Sequence, residues 1–144
     1  MQASHTDISE IIPHRPPMVM IDRFTKKNET AGIGEKRFSQ GNYGCENGFV
    51  LQSILIECVA QTVAAQHGYD QLSKDNPEPA LGMLVAIDHF EFFHSVPENA
   101  FITIQVNKTD EIGQFYLLRG MILFGKKLIA QGRIKIFNTT GALE

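Results

Sequence analysis

The stretch Leu51-Gln-Ser-Ile-Leu-Ile-Glu-Cys-Val-Ala-Gln-Thr-Val-Ala-Ala-Gln-His-Gly-Tyr69 decides the fold. Leu51, Ile54, Leu55, Cys58, Val59 and Thr62 recur at the spacings that line one helix face, which predicts a helix from Leu51 to Tyr69. Ile56, Ala60, Val63 and Ala64 add apolar residues on other faces. A helix this apolar around its circumference is wrapped by protein on several sides. It is not a membrane span: Gln52, Glu57 and Gln61 interrupt the apolar run from Phe49 to Ala65, and a span needs about 20 predominantly apolar residues.

Outward from the helix the period changes. Pro17 to Phe24 is a short apolar run after a Pro pair and predicts a strand, and Thr30 to Phe38 predicts a second despite Gly32 and Gly34, which weaken a strand interior. Ser39 to Gly48 is rich in Gly and Asn and has no apolar period, so it predicts a loop. Beyond the helix, Asp70 to Pro79 is a polar connector. Ala80 to Val96 predicts a bent strand, Ile102 to Val106 alternates cleanly, and Gln114 to Phe124 and Leu128 to Phe137 are joined by a turn at Gly125-Lys126-Lys127. Two strands, one buried helix and four more strands describe an α+β protein, an antiparallel sheet of about six strands covering a single helix.

The chain has 144 residues, 13 Lys and Arg against 16 Asp and Glu, and a formal net charge of −3. That length suits one domain spanning 1–144. The mild acidity and the lack of a dense basic cluster argue against nucleic acid as a partner. Two cysteines do not make a disulfide framework. The five histidines show no zinc-ligand spacing and no Gly-rich phosphate loop follows a strand, so neither a metal nor another cofactor is expected. The opening residues carry Asp7 and Glu10 rather than a basic head and an apolar run, so a signal peptide is not expected and the cytoplasm is the default location.

Glu57 stands out chemically, because a carboxylate in the most apolar stretch of the chain is costly to bury unpaired. Burial disfavours the charged form of a carboxyl, which is the state a general acid needs. Glu57, Gln61, Ala64 and Gly68 share one helix face. Together they suggest a narrow slot lined by small residues that ends at an acid and an amide and could hold a substrate. The competing reading is a solvated helix edge with Glu57 in water.

Two segments resemble a known family. Ile11-Ile-Pro-His-Arg-Pro-Pro-Met-Val-Met-Ile-Asp-Arg23 is similar to the opening of the hot-dog-fold 3-hydroxyacyl-[acyl carrier protein] dehydratases, and Ile56-Glu-Cys-Val-Ala-Gln61 is similar to their central-helix signature. The stretch Gly82 to Val96 resembles the strand that follows that helix. The pairing of a Pro-His opening with Glu57, Ala60, Gln61, Ala64 and Ala65 most resembles the dehydratase-like proteins of aryl-polyene and flexirubin-type pathways. The resemblance implies a hot-dog fold paired as a homodimer or heterodimer. It also implies an acyl-carrier-protein thioester as substrate, and removal of water to give a trans-2-enoyl thioester. In such enzymes the chemistry lies at the dimer interface: a His takes the C2 proton, an acid on the helix of the other subunit helps the hydroxyl leave, and backbone N–H groups near the helix N-terminus hold the enolate oxygen.

The acid maps to Glu57, with Gln61 as its neighbour on the helix face. The family's base normally lies in a His-Phe-Pro-Gly loop, and here an ungapped count reaches Tyr43 in a loop, Gln40 to Gly48, that has no His and no Pro. His14, beside Pro13 in the segment that lines the acyl tunnel in such enzymes, offers either a catalytic imidazole or a residue that merely orders the strand entry. Tyr43 offers a substrate hydrogen bond or packing against a partner chain. Three readings follow: a dehydratase using Glu57, a non-catalytic subunit that binds acyl chains or completes a heterodimer, and a hot-dog thioesterase. An acidic carrier protein would dock on a basic patch, for which Lys126, Lys127, Arg133 and Lys135 are candidates.

Overall fold

A computed structural model of the chain describes residues 7–39, 44–72 and 82–138. After a short 3-10 turn at Ile8–Glu10 come β1 (Arg23–Lys26), β2 (Ala31–Arg37), β3 (Cys45–Glu46), β4 (Phe49–Val50) and α1 (Gln52–Gln71). Four longer strands complete the described chain: β5 (Gly82–Phe92), β6 (Phe101–Ile112), β7 (Phe115–Phe124) and β8 (Lys127–Asn138). Six strands form one antiparallel sheet in the order β1-β2-β6-β7-β8-β5, and β3 with β4 forms a separate hairpin. The helix touches β1, β2, β5, β6 and β7, so the sheet curls around it as the sequence predicts. No helix among the described residues is long and apolar enough to cross a membrane.

The helix buries Leu55, Cys58, Val59 and Thr62 from the predicted stripe, while Leu51 is exposed at the N-cap position just before the first turn. Against this stripe β6 presents Ile102, Ile104 and Val106, alternating with the more exposed Phe101, Thr103 and Gln105. That alternation is the period-two signature of a half-buried strand. The glycine in β2 that weakens a strand on propensity grounds has a packing role. A Cβ at Gly34 would lie 2.5 Å from Thr62 Oγ1, so the bare backbone is what lets the helix sit down on the sheet.

Three local expectations change. Pro17 to Ile21 is not a strand, because the backbone polar groups of Met18 and Met20 are bonded to helix side chains; bonding to β2 begins at the Asp22 N–H, which donates to the Glu35 carbonyl at 2.7 Å, and β1 itself begins at Arg23. The described part of the Ser39–Gly48 loop contains β3, which turns through Asn47 and Gly48, both at positive φ, into β4. The small-residue slot along the helix is closed at its Gly68 end by the chain itself. A Cβ at Gly68 would fall on the Ile11 carbonyl, with Ile11 Cα 2.9 Å away, and Ile11 and Ile12 are buried there. Strand β5 carries the expected irregularity, with shifts in its pairing to β8 between Leu84 and Ala86 and between Asp88 and Glu91.

Candidate active site

The opening segment docks on the helix through Gly68, Gln61 and Cys58. Ile11 and Ile12 anchor it, Pro13 is exposed, and His14 is half-buried. The Arg15 guanidinium turns back to donate to the carbonyls of Ile12 (3.0 Å) and His14 (2.7 Å), which stiffens the bend that carries the imidazole. Beyond the Pro pair, the segment runs extended past the middle of α1.

Gln61 stitches this segment to the helix. Its Oε1 accepts from the Met20 N–H at 2.7 Å, and its Nε2 donates to the Met18 carbonyl at 2.7 Å and to Glu57 Oε2 at 2.9 Å. The side chain is fully buried, and these three bonds are what make a buried amide tolerable. Cys58 adds a fourth tie, its thiol donating to the Met20 carbonyl at 3.2 Å. Burial pushes the Cys58 thiol far up, so it stays a neutral donor rather than a nucleophile. Cys45, half-buried in β3, is also held above the ordinary thiol value, first by burial and then by the nearby Glu98 charge.

Glu57 sits one helical turn before Gln61 and meets His14, with His14 Nε2 3.5 Å from Glu57 Oε2. The two side chains are 30% and 34% exposed, so neither is sealed in the core. His14 Nδ1, by contrast, is buried and has no hydrogen-bond partner among the described residues. The expectation of an acid embedded in apolar packing is therefore replaced by something more specific. Glu57 is a partly open carboxyl held on one oxygen by an amide and flanked by an imidazole. Such a trio can hold and pass a proton at a surface that a substrate can reach.

Of the residues singled out from sequence, His14, Glu57 and Gln61 come together at the helix middle, with Pro13 next to His14 in the chain. Tyr43 lies outside the described residues. The sequence reading passed over the backbone groups of Met18 and Met20 and the thiol of Cys58. A signal for them existed: an amide in the middle of a buried helix must find partners, and an extended Pro-Pro-Met-Val-Met run without its own strand partner can supply them. Around the cluster, Met18, Phe49 and Leu51 are exposed apolar residues, and Ile56, Ala60 and Ala64 on the helix are only half-buried.

Comparison with known proteins agrees with this geometry. The family model described as ApeP-like, ApeP dehydratase, matches residues 6–144. A 3-hydroxyacyl-[acyl-carrier-protein] dehydratase FabZ of Macrococcus caseolyticus is 30% identical over 113 residues, 74% of each chain. The FabZ of Natranaerobius thermophilus is 27% identical over 138 residues, covering 89% of this chain and 92% of its own. Among solved structures, a chain of the dehydratase heterocomplex ApeI:P from Xenorhabdus doucetiae superposes with a TM-score of 0.85 at 18% identity, covering 94% of this chain and 92% of that one. That likeness establishes the hot-dog fold. With a family model spanning nearly all of the sequence, the chain belongs to the ApeP-like family of hot-dog, 3-hydroxyacyl-[acyl carrier protein] dehydratase-like proteins.

Proposed function

We propose that this protein eliminates water from a 3-hydroxyacyl thioester carried on an acyl carrier protein, with Glu57 as the acid and His14 as the base. The observation that carries the reading is the meeting of His14 and Glu57 at 3.5 Å beside Gln61, in a member of a dehydratase family. His14 Nε2 takes the C2 proton, Glu57 gives its proton to the departing hydroxyl, and the products are water and a trans-2-enoyl thioester. Proton transfer by a positioned side chain contributes about 10²–10⁴-fold to such a step. Developing charge on the thioester oxygen would be met by N–H groups of the first helical turn. That turn has no side-chain cap and starts five residues before Glu57, about 7.5 Å along the axis. Pro13 and Tyr43 complete the substrate surface in this reading.

A second reading keeps the acid here and takes the base from another subunit. It is favoured by the loop Gln40 to Gly48, which has no His, and by the exposed apolar side chains of Met18, Phe49 and Leu51 beside the site. A second hot-dog chain, identical or different, would cover them. The Xenorhabdus heterocomplex is support for a mixed pair, and an aryl-polyene-type setting in the cytoplasm belongs to the same proposal. Lys126, Lys127, Arg133 and Lys135, all exposed on β8 and its preceding turn, remain the proposed docking patch for an acidic carrier.

The deciding experiment follows enoyl formation and thiol release separately, with the chain alone and with a second dehydratase-like subunit. Loss of enoyl product in Glu57→Gln supports the proposal, and unchanged activity refutes it. Turnover only on mixing supports the paired reading, and free thiol would identify a thioesterase instead.

A further inference from the structure

We infer that Gln61 is a positioning residue that sets which oxygen of Glu57 carries the acid proton, and is not itself a contact for substrate. The inference rests on Glu57 acting as the acid. The orientation of the Gln61 amide follows from its neighbours. Met20 N–H can only donate, so the atom 2.7 Å from it is the amide oxygen; the Met18 carbonyl can only accept, so the atom 2.7 Å from it is the nitrogen. An amide nitrogen has two hydrogens. Met18 takes one, and the other faces Glu57 Oε2 at 2.9 Å. With the side chain wholly buried, no surface is left on it for a ligand.

A donor fixed on Oε2 selects one form of the neutral carboxyl. A hydroxyl hydrogen on Oε2 would compete with the amide hydrogen, whereas a carbonyl oxygen there accepts it, so the proton resides on Oε1. His14 Nε2 lies 3.5 Å from the same oxygen, makes no hydrogen bond to it, and keeps its lone pair for the C2 proton. The Gln61 amide thus occupies Oε2, which leaves Oε1 to meet the departing hydroxyl. Reversing this arrangement would require Gln61 to give up both backbone bonds at once. Fixed donors and acceptors of this kind spare the acid any reorganisation at the moment of reaction.

Cys58 supplies the comparison that separates positioning from plain stability. It ties down the same Met20 residue from the same helix, through the carbonyl, and its thiol does not hydrogen-bond Glu57. The assay is hydration of a trans-2-enoyl pantetheine thioester by the full chain, with its partner subunit where turnover needs one. Gln61→Met is expected to lower kcat by about tenfold or more while KM stays within about twofold. The same change in a Glu57→Gln background is expected to alter the residual rate by less than about twofold, because the group it positions is already gone. Cys58→Ala is expected to lower thermal stability and leave kcat within about twofold. Gln61→Glu, which keeps the volume and an acceptor for Met20 but has no amide hydrogens, provides the same comparison should Gln61→Met not fold.

Equal factors for Gln61→Met with and without Glu57, or kcat losses in Gln61→Met and Cys58→Ala that merely track stability, overturn the inference. A fully active Glu57→Gln, or a wild-type without turnover in either format, removes the dehydratase reading as well. An essential Glu57 with an indifferent Gln61 removes this inference alone.

Discussion

Replacing Gly68 by Ala sets two known effects against each other, and the packing of the opening segment decides the sign. In an unobstructed helix interior Gly→Ala stabilises by about 1 kcal/mol. Here the new methyl would land on the Ile11 carbonyl, with the Ile11 carbon atoms at 2.7 and 2.9 Å. Ordinary carbon contacts lie at about 3.5–4.0 Å, so the segment must withdraw by about 1 Å. Neither side can yield cheaply, since one is helix and the other is backbone flanked by the buried Ile11 and Ile12. Overpacking of this kind costs about 1–3 kcal/mol, and a clash with backbone belongs at the top of that range. About 3 kcal/mol lost against about 1 gained leaves about 2 kcal/mol of net destabilisation. For a chain of this size that lowers Tm by about 4–8 °C. Denaturant titration should show a lower midpoint at an unchanged slope. Dehydration activity should fall as well, because His14 lies three residues beyond Ile11. A Gly68→Ala protein more stable than the parent would refute the close docking of the opening segment on α1.

Other outcomes are expected from the same geometry. Glu57→Gln should lose about 10²–10⁴-fold in turnover while remaining folded, since its side-chain carbonyl can still accept from Gln61; near-wild-type turnover would show the acid to lie elsewhere. Lys26 Nζ lies 2.5 Å from Asp70 Oδ1, and this bond holds the Lys26 amine above its ordinary 10.5. A raised amine contributes stability that is complete below about pH 10.5 and is lost as pH rises through the folded value. Thermal melts above pH 10 should therefore drop less steeply in Asp70→Asn than in the parent, and parallel curves would exclude the pair as a contributor. Thiol alkylation of the native protein at neutral pH should modify Cys45 before Cys58; the reverse order, read by mass spectrometry, would contradict the burial of Cys58.

The helix was legible because its apolar residues repeat at a helical period over many turns, and the later strands because they alternate. The strand around Gly34 was legible despite the glycine, but the reason for the glycine was not, since propensity penalises it in a strand while the helix above requires it. The run from Pro17 to Ile21 looked like a strand by composition, but composition does not say whether a backbone group will bond to another strand or to a side chain on a helix. Glu57 and Gln61 were visible as one face of that helix. Their meeting with His14 was not, because a separation of forty-three positions leaves no periodic trace. The family resemblance offered His14 only as a residue of the segment that lines the acyl tunnel, and its approach to Glu57 is a finding of the structure. The slot along Ala64 and Gly68 failed as a substrate groove because small residues invite any close neighbour, and the chain's own opening segment fills the place.

The bonds that assemble the site also decide how it comes apart. Met20 and Met18 reach Gln61 across 41 and 43 residues of chain, and neither bond belongs to a strand ladder. Both bonds end on a side chain of α1, so the opening segment is held only where that helix turn has formed. The same segment is then free to detach without breaking a single rung between β-strands. Local opening of this sort is reported by exchange of individual amide protons, and the Met20 N–H, bound to a side chain rather than to a neighbouring strand, is the natural probe. Its exchange should be faster than that of the central β6–β7 amides. In this chain the chemistry would be the first thing to come undone, while the sheet remains intact beneath it.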